Sequence, residues 1–517
     1  MKKRFICLIL LLCMLVLVSC NKTHTHEWSD WKIIVAADCE NAGARERSCS
    51  CGEIELESIA ALGHSRNDGE RFEPTAARHG YTLYTCTVCS TEEKTDLASP
   101  LGSQGLTYEV NDDGKTCTVT GMGSCTDSEL GIPDSIDGYE VTAIADYAFD
   151  GPNLLTYVWL GNNVKTVGFG AFRMNLGLQE VVCGDRLETI GASAFITCTR
   201  LKRVAFSDSI TKIKNDAFAH CSQLELLDFG EGLKTIEYGA FTSCQSVVRV
   251  TLPQNLTEIG DSAFEFCYKL VEVINHSSLT LNKGSTSNGM VALYALTTHN
   301  EESKLIAEGD YLFIECGSVN YLIAYTGSDT ELVLPQNFKG KHYQVYNFAF
   351  SKEIDMTSIT IPPAAVAFGL EVFQACKKLE RVEISDLKAW CQTSFTSENS
   401  NPLYHAKKLY LNGELLVNAA IPEDTLFIQP YAFINCESIQ NIVIPKSVVG
   451  IGQSAFDGCS FLNAVYYAGV LENWNRIDIE DKNHSLPKQI YYYSETQPTS
   501  LASRYWRYVN GVPTRWE

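Results

Sequence analysis

The chain has 517 residues, of which 45% are hydrophobic and 20% charged, with 15 prolines and a formal net charge of −21. That balance is too apolar for a disordered chain and too polar for a multi-span membrane protein. An acidic chain also repels phosphate backbones and offers no basic stripe to release counterions, so no nucleic-acid partner is expected.

Lys2, Lys3 and Arg4 precede a 14-residue apolar run from Phe5 to Val18, followed by Ser19 and Cys20. Spanning a bilayer takes about 20 residues, so the run reads as a secretory signal, residues 1–20, rather than a permanent anchor helix. Leu17-Val18-Ser19-Cys20 resembles a bacterial lipoprotein signal. The resemblance implies cleavage before Cys20 and acylation of that cysteine, hence a mature chain exported and lipid-tethered to the bacterial membrane. Plain secretion after a nearby cleavage is the alternative.

Residues 21–98 hold Cys39, Cys49, Cys51, Cys86 and Cys89 and contain a degenerate duplication, with His26 and His64 as corresponding residues 38 apart. Cys39, Cys49, Cys51 and His64 have the residue types of a tetrahedral structural zinc site. Cys-x-Cys is tighter than the usual Cys-x-x-Cys, and Ala76 and Ser103 stand where ligands would recur. Disulfides are the competing use in an exported segment with few Leu and Ile. A redox role for Cys86 and Cys89 has no thioredoxin-like context, and Trp28 and Trp31 are expected as core rather than as a sugar-stacking platform. The segment resembles short repeats that space the anchor from the binding region in bacterial surface proteins, a cysteine-rich stalk.

From residue 141 one pattern dominates. Phe149, Phe172, Phe195, Phe218, Phe241 and Phe264 recur every 23 residues, each preceded by Ala, and the interval returns between Phe350 and Phe373 and between Phe433 and Phe456. Five residues before the Phe come Ile144, Val167, Ile190, Ile213, Ile236 and Ile259, and nine after it Val158, Val181, Val204, Leu227, Val250 and Val273. A unit this small cannot close its own core, so the period predicts a solenoid in which equivalent side chains stack as ladders. The alternation around Val204 predicts a short strand in a parallel sheet, and Ala-Phe-x-x-Cys predicts a short helical turn. Repeat blocks are expected at 141–274, 341–384 and 431–467. Islands at 275–340 and 385–430 interrupt them, and either carry specificity or extend the sheet.

These residues resemble the BspA-like leucine-rich repeat family of bacterial surface proteins. The resemblance implies a leucine-rich repeat solenoid, mainly parallel β with short turns and closed at both ends. The leading cap spans 99–140, with a hairpin turning at Asp113-Gly114, and the C-terminal cap spans 468–517. It also implies adhesion to an extracellular protein or glycan. A structural envelope component without a specific ligand is the alternative.

Cys198, Cys221, Cys244, Cys267, Cys376, Cys436 and Cys459 lie three residues after their Phe, with Asn175 in that place in an early unit. Seven equivalent thiols are expected as buried packing, not catalysis or metal binding. No phosphate-binding loop, His-Glu-x-x-His or Gly-x-Ser-x-Gly occurs, and the ten histidines are scattered, so no enzyme is expected. The contact face is then the outward side of the strands. One column holds Tyr157, Glu180, Arg203, Leu226, Arg249 and Glu272, and the other Trp159, Val182, Ala205, Asp228, Thr251 and Ile274. Tyr157 and Trp159 are favoured as ligand-binding residues because exposed aromatics concentrate interface energy, with Arg203 and Arg249 beside them.

Overall fold

The computed structural model describes residues 25–350, 355–487, 489–498 and 504–516. The signal segment and Cys20 lie outside the described residues. Among those described, no helix is long and apolar enough to cross a membrane. The chain divides into two compact units, Met1–Leu101 and Gly102–Glu517.

The first unit is built twice from one plan. β1 (Lys32–Val35), β2 (Gly43–Ser48) and β3 (Ile54–Ile59) form an antiparallel meander, and β4 (Glu70–Phe72), β5 (Gly80–Thr85) and β6 (Glu92–Ala98) form another in the same order. Both central strands start on a glycine pressed against the chain before it: a Cβ would stand 2.5 Å from the Ala37 nitrogen at Gly43 and 2.6 Å from the Pro74 nitrogen at Gly80. No larger residue fits either corner. On the first sheet Arg45 pairs with Glu57 and Arg47 with Glu55 across β2 and β3, while both guanidiniums lie over the Trp31 ring, at 4.7 and 4.6 Å. Trp28 and Trp31 are therefore half-buried under arginine.

The second unit opens with β7 (Thr107–Val110) and β8 (Thr116–Gly121), an antiparallel hairpin. Its turn is fixed by Asp113, whose Oδ1 accepts from the Lys115 and Thr116 amides at 2.8 Å. Beyond it the chain coils. Val167, Ile190, Ile213, Ile236 and Ile259 are successive partners in one parallel sheet. Val158, Val181 and Val204 are partners in a second, and Leu227, Val250 and Val273 in a third.

Between these sheets the phenylalanines stack. Phe172, Phe195, Phe218 and Phe241 follow one another at ring separations of 5.1, 5.1 and 5.3 Å with planes within 4°. The alanine before each has a definite task. The Phe172 amide donates to the Ala194 carbonyl, and Phe195 to Ala217 and Phe218 to Ala240 repeat the bond at 2.7 to 2.8 Å. The Ala-Phe step thus carries its own coil-to-coil ladder, with Ala194, Ala217 and Ala240 fully buried along it. The expected helical turn is instead a turn bracketed by left-handed residues. Ser193 and Thr197 flank Phe195 at φ 54° and 63°, and Asp216 and His220 flank Phe218 at φ 53° and 64°. Two such left-handed residues turn the chain between successive strands, and the turn residues carry no helix assignment.

Both islands continue the solenoid. Thr297–His299 pairs in parallel with Glu272–Asn275, and the meander Leu305–Glu308, Tyr311–Cys316, Val319–Tyr325 passes into parallel pairing with Tyr343–Val345. In the second island Ser394–Phe395 adds to Ala365–Phe368 and Leu409–Leu411 to Arg381–Ile384. The hairpin from Leu409–Leu411 turns back through Asn412 and Gly413 at φ 52° and 88°. Two large apolar clusters result, one from Leu106 to Ala295 and one from Phe313 to Ile490. At the C-terminal end the fully buried Trp506 donates its Nε1 proton to the Tyr467 carbonyl at 2.9 Å.

Candidate functional site

The strands Tyr157–Trp159, Glu180–Val182, Arg203–Ala205, Leu226–Asp228, Arg249–Leu252 and Glu272–Asn275 stand side by side along the solenoid. In each, the residue between the two outward positions is buried, as strand alternation requires. The outward columns are not uniformly open, which corrects one expectation. Tyr157 and Trp159 retain 5% and 1% exposure and present no ring to a partner. Alternation fixes the direction of a side chain and says nothing of what lies over it.

The other end of the columns is closed too. Glu272 is fully buried, and its carboxylate accepts from Ser303 Oγ at 2.7 Å, from the Lys304 amide at 2.5 Å and from His299 Nε2 at 3.0 Å. His299 Nδ1 accepts from the Glu301 amide at 3.3 Å, so the imidazole proton sits on Nε2 and points at Glu272. The carboxylate, not the imidazole, takes the serine hydroxyl, which makes this a clamp between the first block and its island rather than a nucleophile–base pair. Sequence reasoning placed Glu272 in the outward column and left His299 unassigned. No period links them, so the only signal was a lone acid at a ladder end.

The open stretch lies between these ends. Arg203 Nη1 is 3.9 Å from Glu180 Oε1 with its side chain 73% exposed, Leu226 is exposed, and Asp228 is joined to Arg249 Nη2 at 3.0 Å and to Thr251 Oγ1 at 2.6 Å. Neighbouring coils therefore pair opposite charges across the face and leave an apolar side chain between them. Of the four residues expected to bind, Arg203 stands open, Arg249 is half-buried in an ion pair, and the two aromatics are covered.

The four expected metal ligands are not brought together as one set. Cys39 and His64 join Cys86 and Cys89, whereas Cys49 and Cys51 join His26, with the donor atoms of each group within 4.8 Å of one another.

Among known proteins, the family described as BspA type leucine rich repeat region matches in six copies over residues 142–271, 319–410 and 406–474. A leucine-rich cell surface protein of Faecalibacterium prausnitzii A2-165 is 23% identical, covering 74% of this chain and 98% of its own, with a TM-score of 0.32. A leucine-rich repeat protein of Bacteroides ovatus ATCC 8483 is 20% identical, covering 75% and 98%, with a TM-score of 0.29. The pneumococcal vaccine antigen PcpA is 15% identical, covering 90% and 94%, with a TM-score of 0.27. No protein of curated function matches.

Proposed function

The chain belongs to the BspA-type leucine-rich repeat family, and from that premise we propose that it is a lipid-anchored surface protein whose solenoid binds an extracellular protein or glycan. The observation that carries the reading is the open stretch around Arg203, Leu226 and Asp228, a varied, charge-paired surface on a backbone held rigid by stacked coils. Affinity at such a face is the surplus of many modest contacts over the cost of association, and rigidity lowers that cost. The mixed charge favours a partner with both signs on its surface rather than a polyanion. Cys20 is the proposed attachment point.

The test is a binding screen of the mature chain against extracellular matrix proteins and glycans, repeated with Arg203→Glu plus Leu226→Asp. Saturable binding that weakens at least tenfold in the double variant supports the reading. Binding indifferent to both substitutions removes this face from it, and the lack of any saturable ligand leaves a structural envelope role. Separately, Cys20→Ser releases the protein from the membrane fraction if the anchor is a lipid on that cysteine.

A further inference from the structure

We propose that the first unit binds one zinc-class divalent ion through Cys39 Sγ, His64 Nδ1, Cys86 Sγ and Cys89 Sγ, and that this ion joins the two copies of its meander. Cys39 Sγ and Cys86 Sγ are 3.8 Å apart, and Cys89 Sγ and His64 Nδ1 are 3.3 Å apart. A tetrahedron with metal–sulfur bonds of about 2.3 Å has edges of about 3.8 Å, and a sulfur–nitrogen edge is slightly shorter. A disulfide would instead need the sulfurs at about 2.05 Å.

The register explains why the sequence-nearest set is not the one assembled. Each central strand runs into the first cysteine of a pair, β2 into Cys49 and β5 into Cys86, and each of these bridges back to the start of its copy, at Trp28 and Arg66. The histidine that opens each copy then meets the second cysteine of that copy's pair: His26 Nδ1 to Cys51 Sγ is 3.5 Å, and His64 Nδ1 to Cys89 Sγ is 3.3 Å, both across 25 residues. His64, Cys86 and Cys89 are thus the trio of the second copy. Its fourth donor, Cys39, is supplied by the first copy, and the second copy has Ala76 at the matching place.

Two further observations point to an ion. The outer nitrogen of the metal-facing histidine approaches an acid, with His64 Nε2 4.0 Å from Glu40, and the Cys89 sulfur lies 3.0 Å from Thr91 Oγ1 while the Val88 and Cys89 amides face Cys86. Such outer partners orient ligands and stabilise thiolates. The described residues of the unit also form no large apolar cluster. Among its described residues no Leu, Ile, Val or Phe is buried, whereas Cys39, Cys49 and Cys86 are. A segment of this size without such a cluster needs a covalent or metal staple.

The experiment is elemental analysis of the mature chain purified without chelator, alongside Cys39→Ala, Cys86→Ala and Cys51→Ala. One zinc per chain is expected, lost in the first two variants and kept in the third. Cobalt substitution of the unmutated chain provides a readout that needs no variant to fold, with the intense visible absorption of a tetrahedral thiolate site expected. Metal-free protein whose mass shows Cys39 disulfide-bonded to Cys86 overturns the proposal. So does zinc that survives Cys39→Ala but leaves with Cys51→Ala, or a cobalt spectrum of octahedral type.

Discussion

The two units use cysteine in opposite ways. In residues 25–101 sulfur faces sulfur and imidazole, at 3.8 and 3.3 Å, in a segment whose described residues include no buried Leu, Ile, Val or Phe. In the solenoid six of the seven ladder thiols turn to a backbone carbonyl instead, and Cys436 meets the Ser438 hydroxyl. Cys198, Cys221, Cys244 and Cys267 donate to the carbonyls of Phe172, Phe195, Phe218 and Phe241 in the preceding coil at 3.2 to 3.3 Å. Where the ladder starts, Asn175 sends its Nδ2 protons to the Phe149 and Phe172 carbonyls at 2.8 and 2.9 Å. What the position requires is a small buried donor, and cysteine supplies it at little polar cost. The residue type alone does not decide between ligand and packing. The deciding factor is whether the fold aims the sulfur at another donor or at a carbonyl.

The largest effect should come from removing the ladder on which the second environment depends. Phe218→Ala deletes a fully buried ring stacked on both sides, and large-to-small core changes of this kind cost about 3–5 kcal/mol. Guanidinium unfolding followed by near-UV circular dichroism measures it, and a loss below about 1 kcal/mol would mean the coils do not share one core.

A second effect separates the two kinds of thiol by pH. Burial pushes Cys198, Cys267 and Cys376 up from the ordinary 9.0 to about 12, and holds Cys221 and Cys244 well above 9.0. A raised folded-state pKa contributes stability that is complete below the unfolded value and lost as pH climbs toward the folded one. The solenoid should therefore lose thermal stability from pH 9 upward, and the ladder thiols should resist alkylation at pH 8 until it unfolds. An unchanged melting temperature from pH 8 to 11 would contradict the buried ladder.

The solenoid was legible because its code is one-dimensional. A constant interval between phenylalanines forces equivalent positions into register, and the rings do stack as the period demands. The preceding alanine and the following cysteine were visible as periods, but their hydrogen bonds were not, since a period gives coincidence of position and no direction. The first unit was legible only as a duplication. Which copy completes the metal-binding trio depends on how antiparallel strands return, and chain proximity favoured Cys49 and Cys51 over Cys86 and Cys89. Tyr157 and Trp159 failed for a related reason: a strand pattern gives the side a residue faces and not its cover.

The comparison between donors sharpens further at Asn175. Its Oδ1 is buried without a partner, although its Nδ2 satisfies two carbonyls. Asn175→Cys keeps one donor, as in the four coils that follow, and removes the orphaned oxygen. An unsatisfied buried polar atom costs about 1–3 kcal/mol, partly offset here by the lost amide bond, so a gain near 1 kcal/mol is expected. Destabilisation on chemical unfolding would show that the amide's second bond outweighs its orphan.

The smallest expected effect on stability is at Arg203, and there its smallness is the point. Its side chain is 73% exposed and 3.9 Å from Glu180, too far and too wet for a strong pair, so Arg203→Ala should change stability by less than about 0.5 kcal/mol. Positions inside the coil are held by the ladder; positions on its outward face are free to vary because folding does not need them. A residue that folding does not need, yet whose loss weakens a partner, is the signature of a contact surface. Arg203→Ala should therefore leave the melting curve in place while lowering affinity for any ligand of this face. If the melting curve moves and the affinity does not, the charge belongs to the scaffold and the contact lies elsewhere.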